Sequence, residues 1–432
     1  MAPRLRLGPV KIGPMRIQAP RGTDDLLPSQ SHRWIHLENE FRALTSLYGY
    51  REVRTPTFEE IELFIRTSGE TSDIVSKEMY DFYDKGERHV CLKPEGTAGV
   101  ARAVVEHSLC PQGQVARLSY ITPIFRYGRP QKGRLREAHQ VGLELMGSAS
   151  PTADAEVIEI TAKFYERIGI QDVEVQLNSI GRAECRARYR EVVLNHFAPY
   201  LADCAEEERA KAEKNPLRLL DSKDPKAAEL AKTVPPILNY LEDESKANFE
   251  TLQQLLNEAK VPYKVMPDIV RGLDYYTDTV FEVLSTKLGA QSSLCGGGRY
   301  DNLVKELGGP ATPSVGVAMG IERAMIVLEE SGIEWPAPRP AVFVVQATED
   351  AAQACRAITR DLRAAGLETQ IDLDGKKMGN QMKQADRAGA KFVAMIGTDE
   401  LAADAVLLRN LESGDQVSVP RANLVKEVQG RL

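Results

Sequence analysis

Arg271 to Val283, RGLDYYTDTVFEV, sets an arginine and two tyrosines at the mouth of a β-branched run. Gly296 to Asp301, GGGRYD, brings a second arginine–tyrosine pair close behind, on a glycine-rich turn. A guanidinium forks onto phosphate oxygens and keeps its charge, while a phenol hydroxyl donates to or accepts from a small polar ring. Together they predict one place that holds a phosphate and a polar ring. Two further arginines suit it: Arg126 ends a predicted strand, Arg117–Arg126, and Arg323 lies one turn into a predicted helix, Ile321–Glu330. Singly, each reads as a surface ion-pair partner. Three arginines around one sheet cleft read as a nucleotide phosphate site.

The predicted strand Leu135–Met146 adds a second kind of chemistry. Alternation puts His139, Val141, Leu143 and Leu145 on one face and Arg136, Ala138, Gln140, Gly142 and Glu144 on the other. Gln140 and Glu144 then project together, with Gly142 leaving room between them. Alone this is also what an ordinary half-solvated strand looks like, but an amide and a carboxylate on a small-residue floor suit an amine or an imidazole N–H. His139 reads as a packed core histidine. Glu95 precedes a helix start, where it either complements the helix dipole or grips an ammonium group with the Thr97 hydroxyl. Thr97 is placed to cap the helix Ala98–His107. Tyr275 and Tyr276 are expected to alternate on their strand, one to the core and one to a cleft. The chain has no GxxxxGK[ST] and no GxGxxG after a strand, so an ATP site must have another architecture.

The elements that would carry these residues fall into blocks. At 432 residues the chain has room for about three domains, and with 43% hydrophobic residues it can bury substantial cores. Its apolar runs are too short to span a bilayer, so a cytoplasmic protein without membrane contact is expected. Six cysteines without a CxxC pair argue for a reduced compartment and no structural zinc. The net charge of −7 leaves nucleic-acid contact to local basic patches. Residues 1–17 read as a flexible basic extension. Trp34, Leu37, Phe41, Leu44 and Leu47 recur at helical spacing, and Tyr50–Thr55 reads as a strand ended by Pro56. Residues 18–181 and 261–334 carry the strand signals of one core. Residues 182–260 are charged, alanine-rich and helical, and read as an insertion. Residues 335–340, WPAPRP, form a linker, and 341–432 alternate strands and helices as a separate α/β domain.

Taken in order, these segments resemble a class II aminoacyl-tRNA synthetase over nearly the whole chain. The helix–strand–Pro56 segment resembles motif 1, FRYGRPQKGRLREAHQVGLELMG (Phe125–Gly147) motif 2, and GVAMGIERAM (Gly316–Met325) motif 3. RGLDYYTDTVFEV and GGGRYD resemble the two signatures of the histidyl-tRNA synthetases. The resemblance implies an α+β fold: an antiparallel-sheet catalytic core with a helical insertion, plus a C-terminal α/β anticodon-binding domain. It implies a homodimer that uses L-histidine, ATP with Mg2+, and tRNA(His). By resemblance, Glu95, Gly96, Thr97 and Gln140 would hold the α-amino group, and Glu144 and Tyr276 would bracket the imidazole. Tyr275 and Tyr300 would wall the pocket. Arg126, Arg136 and Arg323 would bind ATP, Arg271 would reach the α-phosphate, and Arg129 and Gln131 would meet the tRNA acceptor end.

Two positions depart from the pattern. Gly128 stands where motif 2 usually has an acidic residue, and Ala138 where an aromatic usually stacks on adenine; a lost stacking ring would cost about 1–3 kcal/mol. GRLREAHQVGLELMG also resembles a catalytically silent relative, the regulatory subunit of ATP phosphoribosyltransferase. Such relatives lack the C-terminal module that is intact here. A pure RNA-binding protein on this scaffold would have no use for the amino-acid pocket.

Overall fold

The computed structural model describes residues 17–432, apart from 70, 71, 73, 130, 131, 223, 270–272, 274 and 292. The predicted extension, 1–17, falls almost wholly outside them. The chain divides into two compact units, Met1–Trp335 and Pro336–Leu432.

In the first unit the strands are β1 (Arg51–Glu52), β2 (Phe58–Glu60), β3 (Tyr80–Tyr83), β4 (His89–Leu92), β5 (Ala116–Phe125), β6 (Glu137–Met146), β7 (Val173–Ser179), β8 (Tyr263–Val265), β9 (Thr277–Ser285), β10 (Ser293–Arg299) and β11 (Ser314–Gly320). Eight of them make one sheet, ordered β1-β5-β6-β11-β10-β9-β7-β8, while β2, β4 and β3 make a small antiparallel sheet. The large sheet is antiparallel except at its rims, where β1 joins β5 and β8 joins β7 in parallel.

One face of the sheet is apolar. Val141, Leu143 and Leu145 of β6, with Val315 and Val317 of β11, pack with Phe41 of the helix Pro28–Leu47 and Phe164 of the helix Pro151–Arg167. The predicted alternation of β6 therefore holds, and the polar set faces away from this core. Leu47 is an exception to the first helix's pattern, being exposed at the last turn. His32 and His36 stand four apart on that helix, an HxxxH spacing, but both turn to Trp335. His32 Nε2 is 3.2 Å from its carbonyl oxygen and the His36 ring is 4.3 Å from the indole. Both histidines thus hold Trp335, the last residue of the first unit.

Residues 182–260 are helical as expected, but their last helix, Asp243–Glu258, does not pack like an insertion. It buries Phe249, Leu252 and Leu256 in the main core. Alanine and charge content hid this, because one apolar stripe every three or four residues is all that a docking helix needs.

The second unit holds a five-stranded sheet. Thr369–Ile371, Val342–Gln346 and Phe392–Ile396 run parallel, and Ala405–Asn410 and Gln416–Pro420 add antiparallel strands. Helices between the strands close it around Val344, Ile358 and Phe392. Among the described residues no helix is long and apolar enough to cross a membrane.

Candidate active site

On the polar face of the sheet a cavity of about 370 Å³ is lined by Glu95, Thr97, Arg126, Gln140, Tyr275, Tyr276, Tyr300 and Arg323, together with Arg134 and Glu322. That volume suits a small ligand of several functional groups.

Several polar acceptors lie in or close to the cavity wall. The Glu95 carboxylate is buried and accepts the backbone N–H groups of Thr97 and Ala98 at 2.7 and 2.8 Å. Burial raises its pKa, while those amides and Arg126 pull it back. The helix thus begins at Thr97, and Glu95, not Thr97, caps it. Gln140 Oε1 is buried without a hydrogen-bond partner. Glu144 is fully buried: the Tyr300 hydroxyl donates to its Oε2, and its Oε1 has no partner. Burial pushes its pKa up to about 8 despite the Tyr300 bond. Tyr275 packs 4.7 Å from Tyr276 and edge-on to Tyr300 at 5.6 Å.

Guanidinium groups also line the cavity. Arg126 donates from Nε to the Pro94 carbonyl at 2.7 Å, and burial disfavours its charge while Glu78 and Glu95 support it. Arg323 bonds the carbonyl oxygens of Gly133 and Ser293. Arg134, from the loop between β5 and β6, pairs with Glu78 at 2.6 Å. Glu322 ties the start of β6 to the helix Ile321–Glu330 by accepting the His139 backbone N–H and ring Nδ1, both at 2.9 Å. Burial works against charge on His139, but Glu322 outweighs it and the net shift is upward. The ring packs edge-on to Trp34 at 5.1 Å, but His139 is not the packed core histidine that its position suggested: its side chain is 38% exposed and it lines the cavity.

Several expectations change. Tyr275 and Tyr276 precede β9 rather than alternating along it, and both line the cavity. The glycine run is not a turn but the middle of β10, where a Cβ on Gly297 would stand 2.7 Å from Phe281 Cζ. The space over Gly142 is not open floor. The Tyr120 ring fills it, slotted between Gly142 and Gly96, and a Cβ on either would come within 2.6 Å of that ring. Gly96 is thus a seat for Tyr120 and does not line the cavity. Neither does Arg136, whose guanidinium lies 3.8 Å from the centre of the Tyr127 ring, nor Glu144, which is fully buried. Arg129 is exposed. Arg271 and Gln131 lie outside the described residues.

Sequence reasoning passed over Tyr120, Arg134, Glu322 and Glu78. Only the β5 register, with Tyr120 opposite Gly142, could have hinted at the first of these. Gly316 is a further close approach: a Cβ there would overlap the Glu144 carboxylate and stand 2.6 Å from the Leu143 carbonyl oxygen. Gly316→Ala is expected to destabilise the chain by about 1–3 kcal/mol in urea unfolding. Because the displaced group is Glu144, the same substitution should weaken ligand binding here.

This sheet, with its polar pocket running into an arginine-lined end, is the catalytic core of a class II aminoacyl-tRNA synthetase. The family profile described as Histidyl-tRNA synthetase matches residues 22–324, and that described as Anticodon binding domain matches 341–431. The chain is 45% identical to a histidine–tRNA ligase of Thermosynechococcus vestitus over 96% of each chain. It is 44% identical to one of Halothermothrix orenii over 96% of this chain and 99% of that one. The crystal structure of apo histidyl-tRNA synthetase from S. aureus superposes with a TM-score of 0.82 at 35% identity, covering 96% of this chain and all of that one. The chain belongs to the histidyl-tRNA synthetase family.

Proposed function

We propose that the chain is a histidine–tRNA ligase. It activates L-histidine with ATP to histidyl-adenylate and transfers the histidyl group to the 3′ end of tRNA(His). The observation that carries this reading is Gln140 Oε1, a buried acceptor left without a partner in a cavity that three guanidinium groups also line. Unpaired buried acceptors call for a ligand rich in N–H groups. An α-ammonium and an imidazole carry them, and a carboxylate between the two ends faces the phosphates.

Glu95, Thr97 and Gln140 take the ammonium group, Glu144 and Tyr276 the two imidazole nitrogens. Arg126, Arg323 and Arg271 hold the triphosphate. The histidine carboxylate oxygen attacks the α-phosphorus in line, its P–O bond forms as the bond to the β-phosphate oxygen breaks, and pyrophosphate leaves. No enzyme nucleophile takes part, so catalysis is positioning and charge neutralisation. Mg2+ enters as part of the nucleotide substrate. The cavity's own carboxylates are engaged, Glu95 by two backbone amides and Glu322 by His139, which suits a cation held mainly by phosphates and water. A homodimer working in the cytoplasm completes the reading, with 341–432 binding the anticodon.

Histidine-dependent exchange of pyrophosphate into ATP, followed by charging of tRNA(His), tests it. Activity in both steps is expected. Binding of histidine without exchange would point instead to the regulatory relative and a phosphoribosyltransferase partner. Ending the chain after Trp335 removes one of two RNA-binding modules, and should lower charging by roughly 100-fold while exchange falls far less. Equal loss of both would contradict a separate anticodon module.

A further inference from the structure

The acid missing at position 128 has a replacement in space. Gly128 is buried, its φ is not in the left-handed region, and a Cβ there would lie 3.3 Å from Arg134 Nε and 3.6 Å from Glu78 Oε1. Glu78 ends a π-helical turn, Ile74–Glu78, and its side chain is only 16% exposed. Its carboxylate pairs with Arg134 at 2.6 Å, and its carbonyl oxygen accepts the Tyr127 N–H at 2.7 Å. The turn is thereby stitched to the residue just before Gly128.

The electrostatics give that carboxylate a task. Arg134 opposes the charge of both Arg126 and Arg323, while Glu78 supports the charge of Arg126. Three like charges converge on one end of the cavity, and Arg134, 40% exposed, is the one free to swing into solvent. An acid at its side holds it facing the cavity until a polyphosphate arrives.

We infer that Glu78 supplies the carboxylate absent at position 128: it is a positioning residue that holds Arg134 against the phosphate end of the cavity. This rests on the ligase reading for the identity of the nucleotide, ATP.

The test uses the full chain in histidine-dependent pyrophosphate exchange. Glu78→Gln should raise the KM for ATP about tenfold, with kcat and the KM for histidine changed less than about threefold. Gly128→Glu placed in the Glu78→Gln chain should bring the KM for ATP back to within about threefold of the starting value, because position 128 lies beside the Arg134 guanidinium. Arg134→Ala should raise the KM for ATP by a similar factor, with Glu78→Gln adding little on top of it. An unchanged KM for ATP in Glu78→Gln overturns the assignment. So does a double variant that melts like the natural chain yet stays as impaired as Glu78→Gln. If the natural chain shows no exchange, it is the ligase reading that fails. Calorimetric titration with ATP then decides for Glu78, weaker binding in Glu78→Gln supporting the assignment and equal binding overturning it.

Discussion

Arg299→Met is expected to cost the first unit about 3–5 kcal/mol of stability. Arg299 ends β10 with its side chain 5% exposed, and Asp154, 2% exposed, lies against it in the first turn of the helix Pro151–Arg167. Its Nε donates to Asp154 Oδ1 at 3.2 Å, its NH1 to Asp301 and to the Ser148 carbonyl, and its NH2 to Asp154 and the Ser150 carbonyl. Every guanidinium N–H direction is thus directed at an oxygen. Methionine fills much of the volume but strands a buried carboxylate, and the loss is mostly the penalty of that unpaired charge. Lysine should restore little, since one ammonium cannot span five acceptors. Adding Asp154→Leu to Arg299→Met should recover part of the loss. A double-mutant cycle in urea measures this, and a single-variant loss under about 1 kcal/mol would refute the account. Tyr300, the next residue, should lose order with it, so activity should fall in step with stability.

Arg299 also shows what a sequence conceals. GGGRYD is a motif with an arginine and a tyrosine, and both look equally chemical on paper. Folding sends Tyr300, just past the end of β10, to the cavity wall and Arg299, the last residue of the strand, into a buried set of oxygens. Residues picked out by type and short spacing were partly legible: Gln140, Arg126 and Arg323 line the cavity, while Glu144, four along from Gln140 on the same strand face, is fully buried. The apolar face of β6 was legible for the same reason. Residues whose role depends on an approach between distant segments were not. Glu78 meets Arg134 across 56 positions, and Tyr120 finds its slot only because two glycines from different segments flank it. The glycine run misled because glycine signals a turn locally, whereas here it lets Phe281 and the β11 backbone come close. Composition likewise marked the insertion but not the docking face of its last helix.

Glu144→Gln should separate recognition from stability in opposite directions. The Tyr300 hydroxyl donates to one oxygen of Glu144 and the other has no partner; on the proposed reading that second oxygen meets an imidazole N–H. Glutamine keeps the shape. Tyr300 then holds the amide oxygen, so the amide nitrogen turns to the ligand and presents a donor where Glu144, ionised as the ligand binds, would present an acceptor. The KM for histidine in pyrophosphate exchange should rise roughly 100-fold, the order expected when a buried polar contact is mismatched, with kcat changed much less. Stability should move the other way. Burial lifts the Glu144 pKa to about 8, against an ordinary carboxyl near 4.5 in the unfolded chain, so between these values the folded state holds one proton more. More protons on the folded side mean that stability falls as pH rises through this window. The acid is therefore tolerated cheaply at pH 5 and becomes a growing burden toward pH 8. Glu144→Gln removes the titration, and its advantage over the natural chain should widen as urea unfolding is repeated from pH 5 to pH 8. A parallel pH profile for the two proteins would mean that Glu144 does not carry that proton. An unchanged KM for histidine would mean that it does not meet the imidazole.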